Sequence, residues 1–196
     1  MLTDSFFSRW YGIGVILIII MVAIGGMTRL TNSGLSMVDW KPLSGIIPPI
    51  SVLEWEDEFN HYKEYPEYKI LNKGMTLGEF KEIFFWEYVH RIFGRLIGLY
   101  FAIPFLLLCL SGNFRSKKLY YNLVLVLLVA LQGLVGWYMV KSGLSKNPYI
   151  SHIRLMLHLQ TAMLLLIYTY TLYVNSSNHS HVKVFTKRKY SFIILL

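Results

Sequence analysis

Four long apolar runs constrain this 196-residue chain more than any other feature. They cover Trp10–Met27, Phe84–Ser111, Leu119–Val140 and His152–Val174. Crossing a hydrocarbon core takes roughly 20 predominantly apolar residues. In lipid the backbone must satisfy its own polar groups, which runs of this length do as helices. The expected architecture is an all-α membrane protein, a four-helix transmembrane bundle over residues 1–174. Composition agrees: 15% of residues are charged and 55% hydrophobic, where soluble domains carry about 25% charged residues. The closing segment Tyr190–Leu196 is too short to span. The first run ends in Gly25-Gly26-Met27-Thr28-Arg29 without a small-x-small cleavage pattern, so it reads as a retained helix and not as a signal peptide.

The net charge of +8 invites a nucleic-acid reading, but its distribution argues against one. Ten of the eleven acids lie between Asp39 and Glu87, while the bases form small groups beside the apolar runs. That is the pattern of charges flanking spans, with membrane lipid as the partner and no nucleic acid. Arg115, Lys117 and Lys118 join spans two and three, and Lys183, Lys187, Arg188 and Lys189 follow span four. The loop between spans three and four holds only Lys141 and Lys146. The basic flanks predict a multi-pass membrane protein with both termini cytoplasmic, a basic tail over 175–196, and loop 28–83 outside. Cys109, the single cysteine, lies inside an apolar run, so no intrachain disulfide forms.

The long outer loop carries its own helix signals. Ser51-Val-Leu-Glu54 is a capping box, followed by Trp55, Phe59 and Tyr62 at helical spacing, with Glu56, Asp57, Asn60 and Lys63 opposite. This predicts a short amphipathic helix lying on the outer membrane interface. Thr76-Leu-Gly-Glu79 is a second capping box, so span two is expected to begin outside the membrane and run inward. A faint repeat accompanies these signals: SGLS occurs at Ser33–Ser36 and at Ser142–Ser145, each after an outward-going span.

Ionisable groups inside spans are costly and mark candidate sites. Span two contains Glu87, His90, Arg91 and Arg95; span three contains Gln132; span four opens with His152 and Arg154 and then carries His158. His90 lies six residues past Phe84, and His158 six past His152. At 1.5 Å per residue both imidazoles sit ~9 Å below the outer surface on helices running the same way. Two histidines facing each other at one depth in a bundle suit a haem iron. Gly94 and Gly98 follow His90 at i+4 and i+8, and Ala162 follows His158 at i+4, leaving room for a flat macrocycle. The plainer alternative is that each histidine caps or hydrogen-bonds at the interface.

Glu87 precedes His90 by three residues and Arg91 by four, so two roles stand open: a carboxyl passing protons beside the iron, or half of an i,i+4 ion pair with Arg91. Arg91 and Arg95, one turn apart, could grip haem propionates, unless Glu87 consumes Arg91. His152 lies roughly 240° around the helix from His158, so the two cannot share an iron. His61, His179 and His181 fall in loops or tail and receive no role.

The segments GGMTRLTNSGLSMVDWKPLSGIIPP, EWEDEF, PEYK, NKGMTLGEFKEIFFWEYVHRIFGRLIG, LQGLVGWYMVKSGL and SHIRLMLHL resemble the haem A synthases of the mitochondrial and alphaproteobacterial type. The similarity runs from Gly25 to about Leu159, through loops as well as spans. It implies oxidation of the C8 methyl group of haem O to a formyl group, giving haem A for cytochrome oxidase biogenesis. The family fold has eight helices in two similar halves, each with a histidine pair, and this chain matches the N-terminal half. The family's Glu-x-x-His motif falls on Glu87 and His90, and its fourth-helix histidine on His158, at the site where substrate haem is oxidised. The haem b cofactor pair of the C-terminal half has no counterpart among these residues, and the tail NSSNHSHVKVFTKRKYSFIILL departs from the family. The resemblance therefore implies either a truncated or frameshifted form or a half-size member pairing as a homodimer. Expected partners are haem O, a haem O synthase that supplies it, and a second half-chain or copy. A non-catalytic haem-binding module and an inactive fragment are the competing readings.

Overall fold

The computed structural model describes residues 3–39, 44–112 and 116–177. Arg115, the basic residues from Lys183 to Lys189, His179, His181 and the closing Tyr190–Leu196 lie outside the described residues.

Among the described residues there are six α-helices: α1 (Asp4–Leu30), α2 (Val52–Lys63), α3 (Pro66–Ile70), α4 (Leu77–Leu110), α5 (Lys117–Val140) and α6 (His152–Ser177). Among them α1, α4, α5 and α6 are long and apolar enough to cross a membrane. The helices α2 and α4 start where the capping signals place them: Ser51 and Thr76 each form a complete capping box with Glu54 and Glu79. At the start of α1, Thr3 accepts from the Phe6 amide.

The four spanning helices close into a ring in the order α1–α4–α5–α6, so α4 and α6 face each other across one diagonal. Ser8 Oγ lies 2.7 Å from Ser177 Oγ, which places the start of α1 beside the end of α6. The core at that end contains Phe7, Trp10, Tyr11, Ile97, Phe101, Leu125, Leu165 and Leu172. Leu99, Ile103, Leu127 and Leu131 point outward and are exposed, as suits helices solvated by hydrocarbon. Pro104 lacks an N–H and orphans the carbonyl of Tyr100; the indole Nε1 of Trp10 donates to that oxygen at 3.1 Å. The Tyr100 hydroxyl returns a bond to the Trp10 carbonyl at 2.8 Å, riveting α1 to α4. Across the other diagonal, buried Tyr11 donates to Asn122 Oδ1 at 3.2 Å, joining α1 to α5.

The outer segments form a second core of Met37, Val38, Phe59, Tyr62, Phe80 and Phe84. Here the structure departs from the expectation for α2. Its apolar face does not lie free for an interface. Phe59 stacks on Phe80 (4.9 Å between centroids), and Trp55 meets Phe84 edge-on (5.0 Å). The first turns of α4 rise out of the spanning region and supply the aromatic surface that α2 buries. The SGLS repeat also has a tertiary counterpart. Leu35 of the first copy packs on Gly143 of the second, so closely that a Cβ at Gly143 would lie 2.6 Å from Leu35 Cδ1.

Candidate functional site

His90 on α4 and His158 on α6 stand on the diagonally opposed helices, both half-buried. Each imidazole rests against a glycine of a neighbouring helix. A Cβ at Gly25 of α1 would lie 3.3 Å from His90 Nε2, and one at Gly136 of α5 would lie 2.9 Å from His158 Cε1. These two glycines, not those following His90 on its own helix, make the room at the rings. Gly94 instead receives Met21 at 3.4 Å, and Gly98 meets nothing within 4 Å. Ala162, one turn beyond His158, is buried.

Gln132 of α5 addresses His158 directly. Its Nε2 lies 3.2 Å from Nδ1 of the ring and donates to the His158 carbonyl at 3.1 Å. Thr161 donates to Gln132 Oε1 at 2.5 Å.

Glu87 is 3% exposed, so its carboxylate depends on the donors around it. Arg91 donates to Oε1 through Nη2 at 2.7 Å and Nε at 3.1 Å. Ser36 Oγ and the Met37 amide donate to Oε2 at 2.7 Å and 2.8 Å. Arg91 then reaches the carbonyls of Met37 (2.6 Å) and Asp39 (2.8 Å). Of the two roles open to this pair, the ion pair is formed, and it also ties segment Ser36–Asp39 to α4 beside His90. Arg95 follows half-buried one turn deeper. His152 is exposed, and Arg154 lies over the Tyr138 ring at 3.9 Å.

A second buried carboxyl lies in the outer loop. Glu67 is 6% exposed and accepts from the Tyr62 hydroxyl at 3.0 Å; Tyr62 accepts from Asn72 Nδ2 at 2.7 Å. Burial pushes the Glu67 carboxyl up to about 7, the Tyr62 bond opposes this, and the nearby Glu87 charge adds to it.

The donor set fits a haem. Among the described residues no three His, Cys, Asp or Glu side chains converge as ligands for a metal ion. Two imidazoles across a diagonal suit a metal that brings its own equatorial ligands, as porphyrin iron does.

A ring of four helices long and apolar enough to cross a membrane defines a multi-pass helical membrane protein. The chain belongs to the cytochrome oxidase assembly protein family, whose model matches residues 8–196 and thus runs past Leu159, where the resemblance read from the motifs ended. It is 49% identical over 158 residues to the Heme A synthase of Orientia tsutsugamushi (strain Boryong), covering 81% of this chain and 44% of that protein. It is 51% identical over 150 residues to the Heme A synthase of Azorhizobium caulinodans, covering 76% and 43%. With the Heme A synthase of Rickettsia canadensis (strain McKiel) it shares 43% identity over 162 residues, covering 83% and 48%. The chain spans about half the length of the curated relatives it matches. No solved structure gives a significant match.

Sequence reasoning passed over Gly25 and Gly136, noted Gln132 without a role, and did not connect Ser36 to Glu87. The SGLS repeat was the available signal for the last, since it contains Ser36.

Proposed function

We propose that this chain builds the site at which the C8 methyl group of haem O is oxidised to a formyl group, giving haem A for cytochrome oxidase assembly. The observation that carries this reading is the His90–His158 pair set across the α4–α6 diagonal, each ring backed by a glycine of another helix. The relatives named Heme A synthase supply the reaction class.

In this reading His90 and His158 would hold the iron of the substrate haem. The haem iron, given electrons and dioxygen, supplies the oxidising chemistry. Glu87 and Arg91 hold Ser36–Asp39 over the outer side of His90, which limits water at the reacting edge. Glu87, one turn from His90, is also the carboxylate placed to accept or return a proton there. Arg95 is assigned to a haem propionate, for which a guanidinium fork is suited, and Arg91 contributes through the charge it shares with Glu87. Electrons come from a second four-helix unit carrying a haem b, from another copy or a separate chain, and haem O arrives from a haem O synthase. The protein sits in the bacterial plasma membrane with the start of α1 and the end of α6 on the cytoplasmic side.

The test is haem extraction from cells that make haem O and express this chain alone or with the C-terminal half of a relative. Purified chain is expected to show a Soret band that His90→Ala and His158→Ala each abolish, and haem A is expected only on co-expression or in a dimer. Unchanged haem content in both variants overturns the site; haem A from a demonstrated monomer overturns the need for a second unit. Labelling of single cysteines at Ser116 and Asn60 tests orientation, and outside-only labelling at Ser116 reverses it.

A further inference from the structure

Polar side chains in the middle of the spans find partners inside the chain. Asn122 donates to the Lys118 carbonyl, Gln132 to that of His158, and Thr169 and Thr171 to carbonyls one turn back on α6. Gln160 differs. It stands exposed on the outward face of α6, and among the described residues no partner meets its amide. It lies between four and five residues from the midpoint of α6 (His152–Ser177), about 7 Å along the axis. With α6 centred in a hydrocarbon core about 30 Å thick, Gln160 is about 8 Å inside the boundary, beyond the reach of its own side chain to water. Acyl chains offer nothing to the two donors and the acceptor of a primary amide.

The residues around Gln160 form a seam. Ile153, Leu157, Gln160, Leu164, Ile167 and Thr171 follow one another at alternate spacings of four and three, and all are exposed. This is the 3.5-residue repeat by which helices pack in left-handed pairs, in membranes as in water. A single polar residue within such a seam sets register and partner number. Lipid alone would be served by apolar residues at all these positions, whereas Gln160 requires a partner at its own depth. Two copies of one topology, related by a twofold axis along the membrane normal, bring equal residues to equal depth. An amide is donor and acceptor at once, so two of them satisfy each other across that axis.

We propose that the outward face of α6 is the contact surface for a second copy of this chain, joined along residues 153–171 with the two Gln160 amides paired at the axis. The contact needs no haem; in the function proposed above it sets the second unit against the helix that carries His158. The experiment uses the full chain with Cys109→Ser, reconstituted without added haem in phosphatidylcholine vesicles at falling protein density. Copper-phenanthroline oxidation reads contact between single cysteines, and energy transfer between fluorophores on Ser116→Cys reads the dimer dissociation constant. Leu164→Cys is expected to give a linked dimer, while Leu99→Cys on the exposed face of α4 stays monomeric. Gln160→Leu is expected to weaken dimerisation about 3–10-fold, the scale of one hydrogen bond between membrane helices. Gln160→Asn keeps the amide and is expected to weaken it less. Monomers at every density, linkage through Leu99→Cys in place of Leu164→Cys, or parental association in Gln160→Leu each overturn the inference. Preferential linkage of Leu164→Cys to a co-expressed C-terminal half of a relative overturns it too, because the seam then serves a different partner. If Gln160→Leu does not fold, the two cross-linking variants decide. A dimer that takes up no haem overturns the histidine-pair reading alone.

Discussion

A methyl group on Gly136 of α5 would lie 2.9 Å from Cε1 of His158 on α6, closer than real Cβ contacts come. Gln132, one helical turn away, bonds the same residue. α5 therefore holds the His158 ring at two points four residues apart, although the histidine belongs to α6. Gly136→Ala is expected to displace the ring while leaving the bundle folded. Alanine favours the helix over glycine by up to about 1 kcal/mol, and overpacking costs typically 1–3 kcal/mol, so net stability changes little. Haem affinity should fall about tenfold, equivalent to about 1.4 kcal/mol. Soret titration beside a thermal melt checks this, and parental affinity would show that the ring does not depend on the glycine.

Glu87 and Arg91 form a buried pair whose partners lie in the outer segment. Removing one member leaves the other charge without its counterpart, a loss of about 3–5 kcal/mol for buried pairs. Arg91→Met is expected to lower the melting temperature sharply and to expose segment Ser36–Asp39 to protease. Adding Glu87→Gln should recover part of the loss, because the stranded carboxylate is then gone. Glu87→Gln alone should lower haem A output more than haem binding. Additive losses in the double variant would mean the two side chains act separately.

Leu35 is buried against Gly143, linking the segment after α1 to the loop between α5 and α6. Gly143→Ala is expected to destabilise by about 1–3 kcal/mol, since buried Leu35 has little space to yield. Leu35→Ala in the same chain should return part of that loss by vacating the contact. Thermal denaturation of the two single variants and the double variant gives the coupling, and zero coupling would separate the loops.

Glu67 makes the outer cluster pH-sensitive. Its carboxyl is raised from 4.5 to about 7, chiefly by burial, so the folded chain binds its proton more tightly than the unfolded chain. Stability therefore falls as pH rises from about 4.5 to about 7, and the full penalty is present above that window. The span of the shift corresponds to a loss on the order of 3 kcal/mol. Glu67→Gln removes the titration and should flatten this part of the profile, raising stability at pH 8 relative to the parent. Hydrogen exchange of α2 and α3 between pH 5 and pH 8 measures it, and an unchanged profile in the variant assigns the pH dependence to another group.

The spans and both capping boxes were legible in the residues themselves. Each depends on local chemistry: apolar length against membrane thickness, and a hydroxyl paired with a carboxylate three residues on. Membership of the family was legible too, because its motifs run through loops as well as spans. What the sequence left open depended on which helices become neighbours. Glu87 had two possible roles, toward His90 three residues on or Arg91 four residues on, and only the approach of Ser36 and Met37 fills its second oxygen. The amphipathic face of α2 suited lipid as well as protein, until the emergent turn of α4 brought Phe80 and Phe84 beneath it. The glycines that make room for the histidines lie on α1 and α5, 65 residues before His90 and 22 before His158 in the chain, so no helical periodicity could connect them. The closing of α1, α4, α5 and α6 into a ring decided those pairings, because only then do glycine and imidazole share one space.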